Sequence, residues 1–80
     1  MTVTVLLFAS YADLLGAHQL SLDLSPGATA GDALGRVQTF PGADRLPAHP
    51  LIAVNERYAP REQVLAEGDQ LAIIPPVAGG

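Results

Sequence analysis

Hydrophobic and polar positions divide the chain into segments of different period. Thr2-Val3-Thr4-Val5-Leu6-Leu7-Phe8-Ala9 is β-branched and apolar, with no Gly or Pro, and predicts a strand. Its nearly unbroken apolar half suits a central place in a sheet. A short helical turn is expected over residues 10–16, with Tyr11, Leu14 and Leu15 at helical spacing and Gly16 ending it. His18-Gln19-Leu20-Ser21-Leu22-Asp23-Leu24 alternates strictly, the pattern of a strand with one wet face. Leu20, Leu22 and Leu24 are expected to point inward.

Ser25-Pro26-Gly27 reads as a turn. Thr29 stands at a helix N-cap position, and Asp32 follows near the positive end of the helix dipole. Ala30, Ala33, Leu34, Val37 and Phe40 repeat at helical spacing, so one face of this helix is expected to be buried. Gly31 and Gly35 each weaken it by about 1 kcal/mol relative to alanine, which leaves packing to hold it. Pro41-Gly42 is expected to end it, and residues 41–50, rich in proline, read as a loop.

Leu51-Ile52-Ala53-Val54 predicts a short strand, Asn55-Glu56 a turn, and Arg57-Tyr58 a brief return segment. From Pro60 to Asp69 the pattern is irregular, with Val64 and Leu65 expected to plug the core and Glu67-Gly68-Asp69 to turn. Leu71-Ala72-Ile73-Ile74 is the last strand, and Pro75-Pro76 stops it.

The order of strand, strand, helix, strand, short strand, strand predicts an α+β domain. With the first and last strands adjacent in a mixed sheet and one main helix crossing it, this is the ubiquitin-like β-grasp. Residues 1–76 form the domain and residues 77–80 an extended tail. If Val3, Val5 and Leu7 face the helix, Thr4, Leu6 and Phe8 lie on the opposite face. Likewise Leu71 and Ile73 point in, while Ala72 and Ile74 point out. Phe8 and Ile74 would then form an apolar partner-binding patch at the root of the tail.

Composition narrows the function. The chain has 80 residues, enough for one domain. Apolar residues at 49% against charged residues at 15% favour a packed core over disorder. A net charge of −4 disfavours phosphate-backbone binding and suits a partner with a basic surface. No apolar run approaches the roughly 20 residues of a membrane span, and the start has no charged region with a cleavage signal. A soluble, cytoplasmic protein binding neither nucleic acid nor membrane is expected.

Cysteine is absent, which excludes disulfides and thiolate chemistry in these residues. Every cation is an arginine: Arg36, Arg45, Arg57 and Arg61. No side-chain amine is therefore available to accept an acyl group. His18 falls on the outward phase of a strand and His49 in the proline loop, neither with a partner at metal-ligand or catalytic spacing. Ser10, Ser21 and Ser25 lie in no nucleophile elbow, and the Gly-Asp pairs at 31–32 and 68–69 lack a phosphate-binding pattern. No metal, bound cofactor or self-contained active site is expected.

The carboxyl end is where chemistry is concentrated. A terminal Gly-Gly occurs by chance in about one chain in 200. Pro75 and Pro76 fix an extended backbone that projects Val77-Ala78-Gly79-Gly80 from the sheet. Gly79 and Gly80 carry no Cβ, so the backbone can thread a narrow channel and present its carboxylate inside a partner.

These features resemble the small sulfur-carrier subunits of molybdopterin synthase, the MoaD type, from Val3 to Gly80. The resemblance is carried by Leu7-Phe8-Ala9, Asp13-Leu14-Leu15-Gly16, Ala53-Val54-Asn55, Gly68-Asp69-Gln70-Leu71 and the ending Ile74-Pro75-Pro76-Val77-Ala78-Gly79-Gly80. It implies that an ATP-using, E1-like adenylyltransferase (MoeB type) adenylates the Gly80 carboxylate, which then becomes a thiocarboxylate. It further implies that the tail, Pro75, Pro76, Val77, Ala78 and Gly79, engages a large synthase subunit (MoaE type), the partner that the Phe8 and Ile74 patch would meet. There the sulfur passes to cyclic pyranopterin monophosphate, with catalytic residues on the large subunit and a heterotetramer of two small and two large subunits.

Two positions depart from the family pattern. Tyr11-Ala12-Asp13 stands where relatives often have a basic residue, and Ala78 where they frequently carry a hydroxyl. Sulfur carriage for thiamine or tRNA thiolation, and a β-grasp interaction module with incidental glycines, are the competing readings.

Overall fold

A computed structural model describes residues 1–76 of the chain. The elements run β1 Thr2–Leu7, α1 Ala9–Leu15, β2 Gln19–Asp23, α2 Ala30–Val37, β3 Leu51–Val54, β4 Arg57–Tyr58 and β5 Gln70–Ile74. The strands form one sheet in the order β2-β1-β5-β3-β4. β1 and β5 are parallel neighbours, while β1 with β2, β5 with β3 and β3 with β4 are antiparallel. This mixed sheet, with α2 closing one face, is the ubiquitin-like β-grasp expected from the element order.

Alternation decides which side chains make the core. Val3, Val5 and Leu7 of β1 are buried with Leu71 and Ile73 of β5 and Ile52 and Val54 of β3. Ala30, Ala33, Leu34 and Val37 of α2 belong to the same cluster. Leu22 and Leu24 are buried as the alternation requires, but Leu20, on the edge strand β2, is only half-buried.

The start of α2 leaves no donor idle. Thr29 Oγ1 accepts from the Asp32 N–H at 3.2 Å, and Asp32 Oδ2 accepts from the Thr29 N–H at 2.9 Å, a reciprocal capping box. The Ala30 and Gly31 N–H groups donate to the Gln63 and Arg61 carbonyls, each at 2.8 Å, and the Ala33 N–H to Thr29 O. Residues 61–65 are thus strapped along the helix start, and Leu65 N–H donates to Ala28 O at 2.9 Å. Along this extended strap, side chains alternate. Leu65 enters the core, so Val64, expected there too, points out at 62% exposure.

Two further expectations are corrected around the end of α2. The helix stops at Val37 rather than running through Phe40 to Pro41-Gly42. The Thr39 N–H and hydroxyl both donate to Arg36 O, and Pro41 disfavours a helical Phe40, so the last turn tightens. Phe40 still packs against the core. The 41–50 segment is also not featureless: it contains a 3₁₀ turn, Ala43–Arg45, with Ala43 and Leu46 buried. Gly42 makes this possible, with φ +90 and no room for a Cβ, which would collide with the Leu14 carbonyl oxygen of α1.

At the other end of the sheet, Asn55 joins two turns. Asn55 and Glu56 have φ of 50 and 72, the pair of left-handed residues that a two-residue hairpin needs. Asn55 Nδ2 donates to Asp69 Oδ1 at 2.9 Å, and Asn55 Oδ1 accepts from the Gln70 N–H at 3.0 Å. Asp69 Oδ2 in turn accepts from the Ala66 N–H at 2.7 Å. Asn55→Ala should lower unfolding free energy by about 2 kcal/mol, combining a strained backbone with lost hydrogen bonds. Asn55→Gly relieves the strain and should cost about half of that. Urea denaturation measures both; an Asn55→Gly protein as stable as the parent would show that the amide bridge contributes no more than the strain that glycine relieves.

Candidate functional site

The sheet face away from α2 is set by the same alternation that builds the core. Register places Leu6 beside Ala72, Ala72 beside Ala53, and Ala53 beside Tyr58, a row across four strands. The two middle members are alanines, so the centre of the row is low. Leu6, Phe8 and Ile74 rise on one side and Tyr58 on the other, around a groove of about 360 Å³. Glu56 and Gln70 add polar rim. Phe8 is 48% and Tyr58 73% exposed, an arrangement that leaves large apolar surface uncovered.

One backbone feature keeps Phe8 on this face. Phe8 remains extended, at φ −125 and ψ 152, and Ala9 then turns the chain into α1 with φ 47. A left-handed alanine costs about 1 kcal/mol. The abrupt turn lets Tyr11 drop into the core while Phe8 stays outside.

Parallel pairing brings the end of β1 and the end of β5 together. Leu7 is the partner of Ile73, and Phe8 and Ile74 line the same groove. Ile74 also borders a second hollow of about 330 Å³, walled by Tyr11, Pro47, His49, Leu51 and Pro76. Pro75 is half-buried and Pro76 exposed. Of the residues expected to engage a partner, the fold therefore gathers Phe8, Ile74 and Pro76 at one end of the sheet. Val77, Ala78, Gly79 and Gly80 lie outside the described residues.

Tyr58, Ala53 and Leu51 are members of this surface that the pattern of hydrophobicity alone did not single out. Their signal was the two-residue Asn55-Glu56 turn, which fixes the β3–β4 register and hence puts Tyr58 opposite Ala53.

Side-chain chemistry is sparse. Among the described residues, no group of three His, Asp or Glu side chains is placed to hold a metal ion. His18 precedes β2 and His49 precedes β3, both exposed. The satisfied first turn of α2 offers no open anion cradle. No described helix is long and apolar enough to cross a membrane. What this surface can do is bind another apolar surface and fix where the chain's last residues begin.

Phe8 is the N-cap of α1 and makes no side-chain cap hydrogen bond. Aspartate is a preferred N-cap, so Phe8→Asp should change unfolding free energy by less than about 1 kcal/mol. Leu34→Ala, in the core, should cost roughly 2–5 kcal/mol. Thermal or urea denaturation of the two variants checks the contrast; comparable losses would mean that Phe8 is part of the core.

A family model described as the ThiS family matches residues 5–80. The chain is 35% identical over 79 residues to a molybdopterin synthase sulfur carrier subunit of Arabidopsis thaliana, covering 98% of this chain and 82% of that protein. It is 32% identical to small archaeal modifier protein 1 of Haloferax volcanii, covering 92% of this chain and 95% of the relative. The crystal structure of SAMP1 from Haloferax volcanii matches with a TM-score of 0.89 at 30% identity, with 100% of both chains covered.

Proposed function

The chain belongs to the ThiS family, and from that premise we propose that it is a sulfur carrier of the molybdopterin synthase type whose reagent is the Gly80 carboxyl group. The observation that carries this reading is the convergence of an exposed apolar face on the root of the last four residues, through Phe8, Ile74 and Pro76. The name of the Arabidopsis relative favours this pathway over other sulfur-carrier roles.

A free carboxylate is a poor electrophile. An E1-like adenylyltransferase uses ATP to convert Gly80 into a mixed anhydride, expelling pyrophosphate. A sulfur donor then displaces AMP and leaves a thiocarboxylate, a soft nucleophile. The large synthase subunit receives Val77, Ala78, Gly79 and Gly80 in its own site and directs the sulfur to cyclic pyranopterin monophosphate. Two sulfurs per dithiolene agree with two small and two large subunits. Bases and phosphate-binding cations come from the partner, which suits a carrier with a net charge of −4.

The apolar groove supplies the docking energy. Its two exposed aromatics, Phe8 and Tyr58, are the residue type that dominates binding energy at interfaces. Phe8→Asp should weaken binding to the large subunit at least tenfold, about 1.4 kcal/mol, in a calorimetric titration. Unchanged affinity would remove the groove from the interface.

Protein modification is a second reading, favoured by the likeness to small archaeal modifier protein 1. It uses the same activated Gly80 but ends in an amide bond to another protein. Deleting Gly80, or appending one residue to it, should abolish molybdenum-cofactor formation in a strain that depends on this chain. Cofactor formation at the parental level would reject the carrier reading, and retained cofactor with lost protein adducts would favour the second.

A further inference from the structure

Glu56 is at odds with its own turn. The hairpin between β3 and β4 needs left-handed backbone at both of its turn residues, and Glu56 has φ 72. Glycine is the residue such a turn favours at its second position, because a Cβ there is crowded by the backbone. The hydrogen bonds that brace the turn are made by the Asn55 and Asp69 side chains, while Glu56 is exposed. A residue held in strained backbone, with its side chain directed away from the bracing network, points to a use outside the fold.

The place of that carboxylate is specific. Among the described residues that line the apolar groove, Glu56 is the one charged side chain. β3 runs antiparallel to β5, with Leu51 opposite Ile74 and Val54 opposite Leu71. Glu56 therefore stands at the Gln70 end of the groove, whereas Phe8 and Ile74 stand at the other end. The arginines lie elsewhere. Arg36 is on α2 and Arg45 in the 3₁₀ turn that follows it. Arg61 belongs to the strap along the start of α2, its carbonyl accepting from the Gly31 N–H. Arg57 pairs with Val54, a core residue, so its side chain leaves on the α2 side of the sheet. The charge that the groove itself offers a partner is thus negative.

We propose that Glu56 is a specificity contact of the groove: it receives an arginine or lysine of the docked partner, whose neighbouring apolar side chains fill the space between Phe8 and Tyr58. A carboxylate covered without a counter-charge is costly, so a partner that fills the groove but brings no cation to the Glu56 end is rejected. The proposal rests on the carrier reading for the identity of the partner, the large synthase subunit, and adds where on the groove its cation stands.

Calorimetric titration of the full chain against the large subunit, with urea unfolding of the same proteins, tests this. Glu56→Gly removes the carboxylate and the backbone strain together, and Glu56→Gln removes the charge alone. Glu62→Gln, the control, removes a charge from the exposed strap on the α2 side. Both Glu56 variants should bind at least about fivefold more weakly at low salt, with less dependence on added salt than the parent. Glu56→Gly should nevertheless unfold at a higher urea concentration than the parent, a pairing of effects that a purely structural residue does not give. Glu62→Gln should bind within about twofold of the parent. Parental affinity in either Glu56 variant, or an equal loss in Glu62→Gln, would overturn the proposal and leave the carrier reading intact. A parent chain that does not bind the large subunit would overturn the carrier reading, and the proposal with it.

Discussion

The parallel pairing of β1 with β5 is the constraint on which the rest depends. It puts the first and last strands side by side at the centre of the sheet. Because they run the same way, both reach the same edge of the domain together. Period-two alternation then sends Val3, Val5, Leu7, Leu71 and Ile73 into the core and Leu6, Phe8, Ala72 and Ile74 to the far face. A one-residue slip of β1 in this ladder would turn Val3, Val5 and Leu7 out of the core and Leu6 into it. The same register that gives the domain its stability therefore also aims the chain's end.

Much of this was legible because each inference used a local rule. The strict alternation of residues 18–24 and the β-branched start specify strands, and Thr29 with Asp32 specifies the helix start. The inward and outward sets on β1 and β5 follow once the two strands are taken as neighbours. Less legible were features decided by contacts distant in sequence. Val64 looks like a core residue until the strap against Thr29 fixes its phase. The early stop of α2 depends on a Thr39 side chain reaching back to Arg36. Gly42 looks like a helix terminator, but its necessity comes from the approach of Leu14. Tyr58 enters the groove through a hairpin register that composition alone does not reveal.

The resemblance motifs also separate into two kinds in three dimensions. Asn55 and Asp69 are spent on joining turns, so Ala53-Val54-Asn55 and Gly68-Asp69 mainly maintain the frame. Phe8 and Ile74 make no comparable internal use of their exposed surface. Where frame residues end and presenting residues begin is thus visible as a division between satisfied polar groups and uncovered apolar ones. In the proposed reading the reagent is the main-chain end group at Gly80 rather than any side chain.

That claim is tested most directly by the mass of the C-terminal peptide from the protein isolated from its own cells while the molybdenum cofactor is being made. The account predicts a population in which one oxygen of the Gly80 carboxyl group has been replaced by sulfur. A terminus recovered entirely as the free acid, under conditions that preserve a synthetic thiocarboxylate standard, would contradict it.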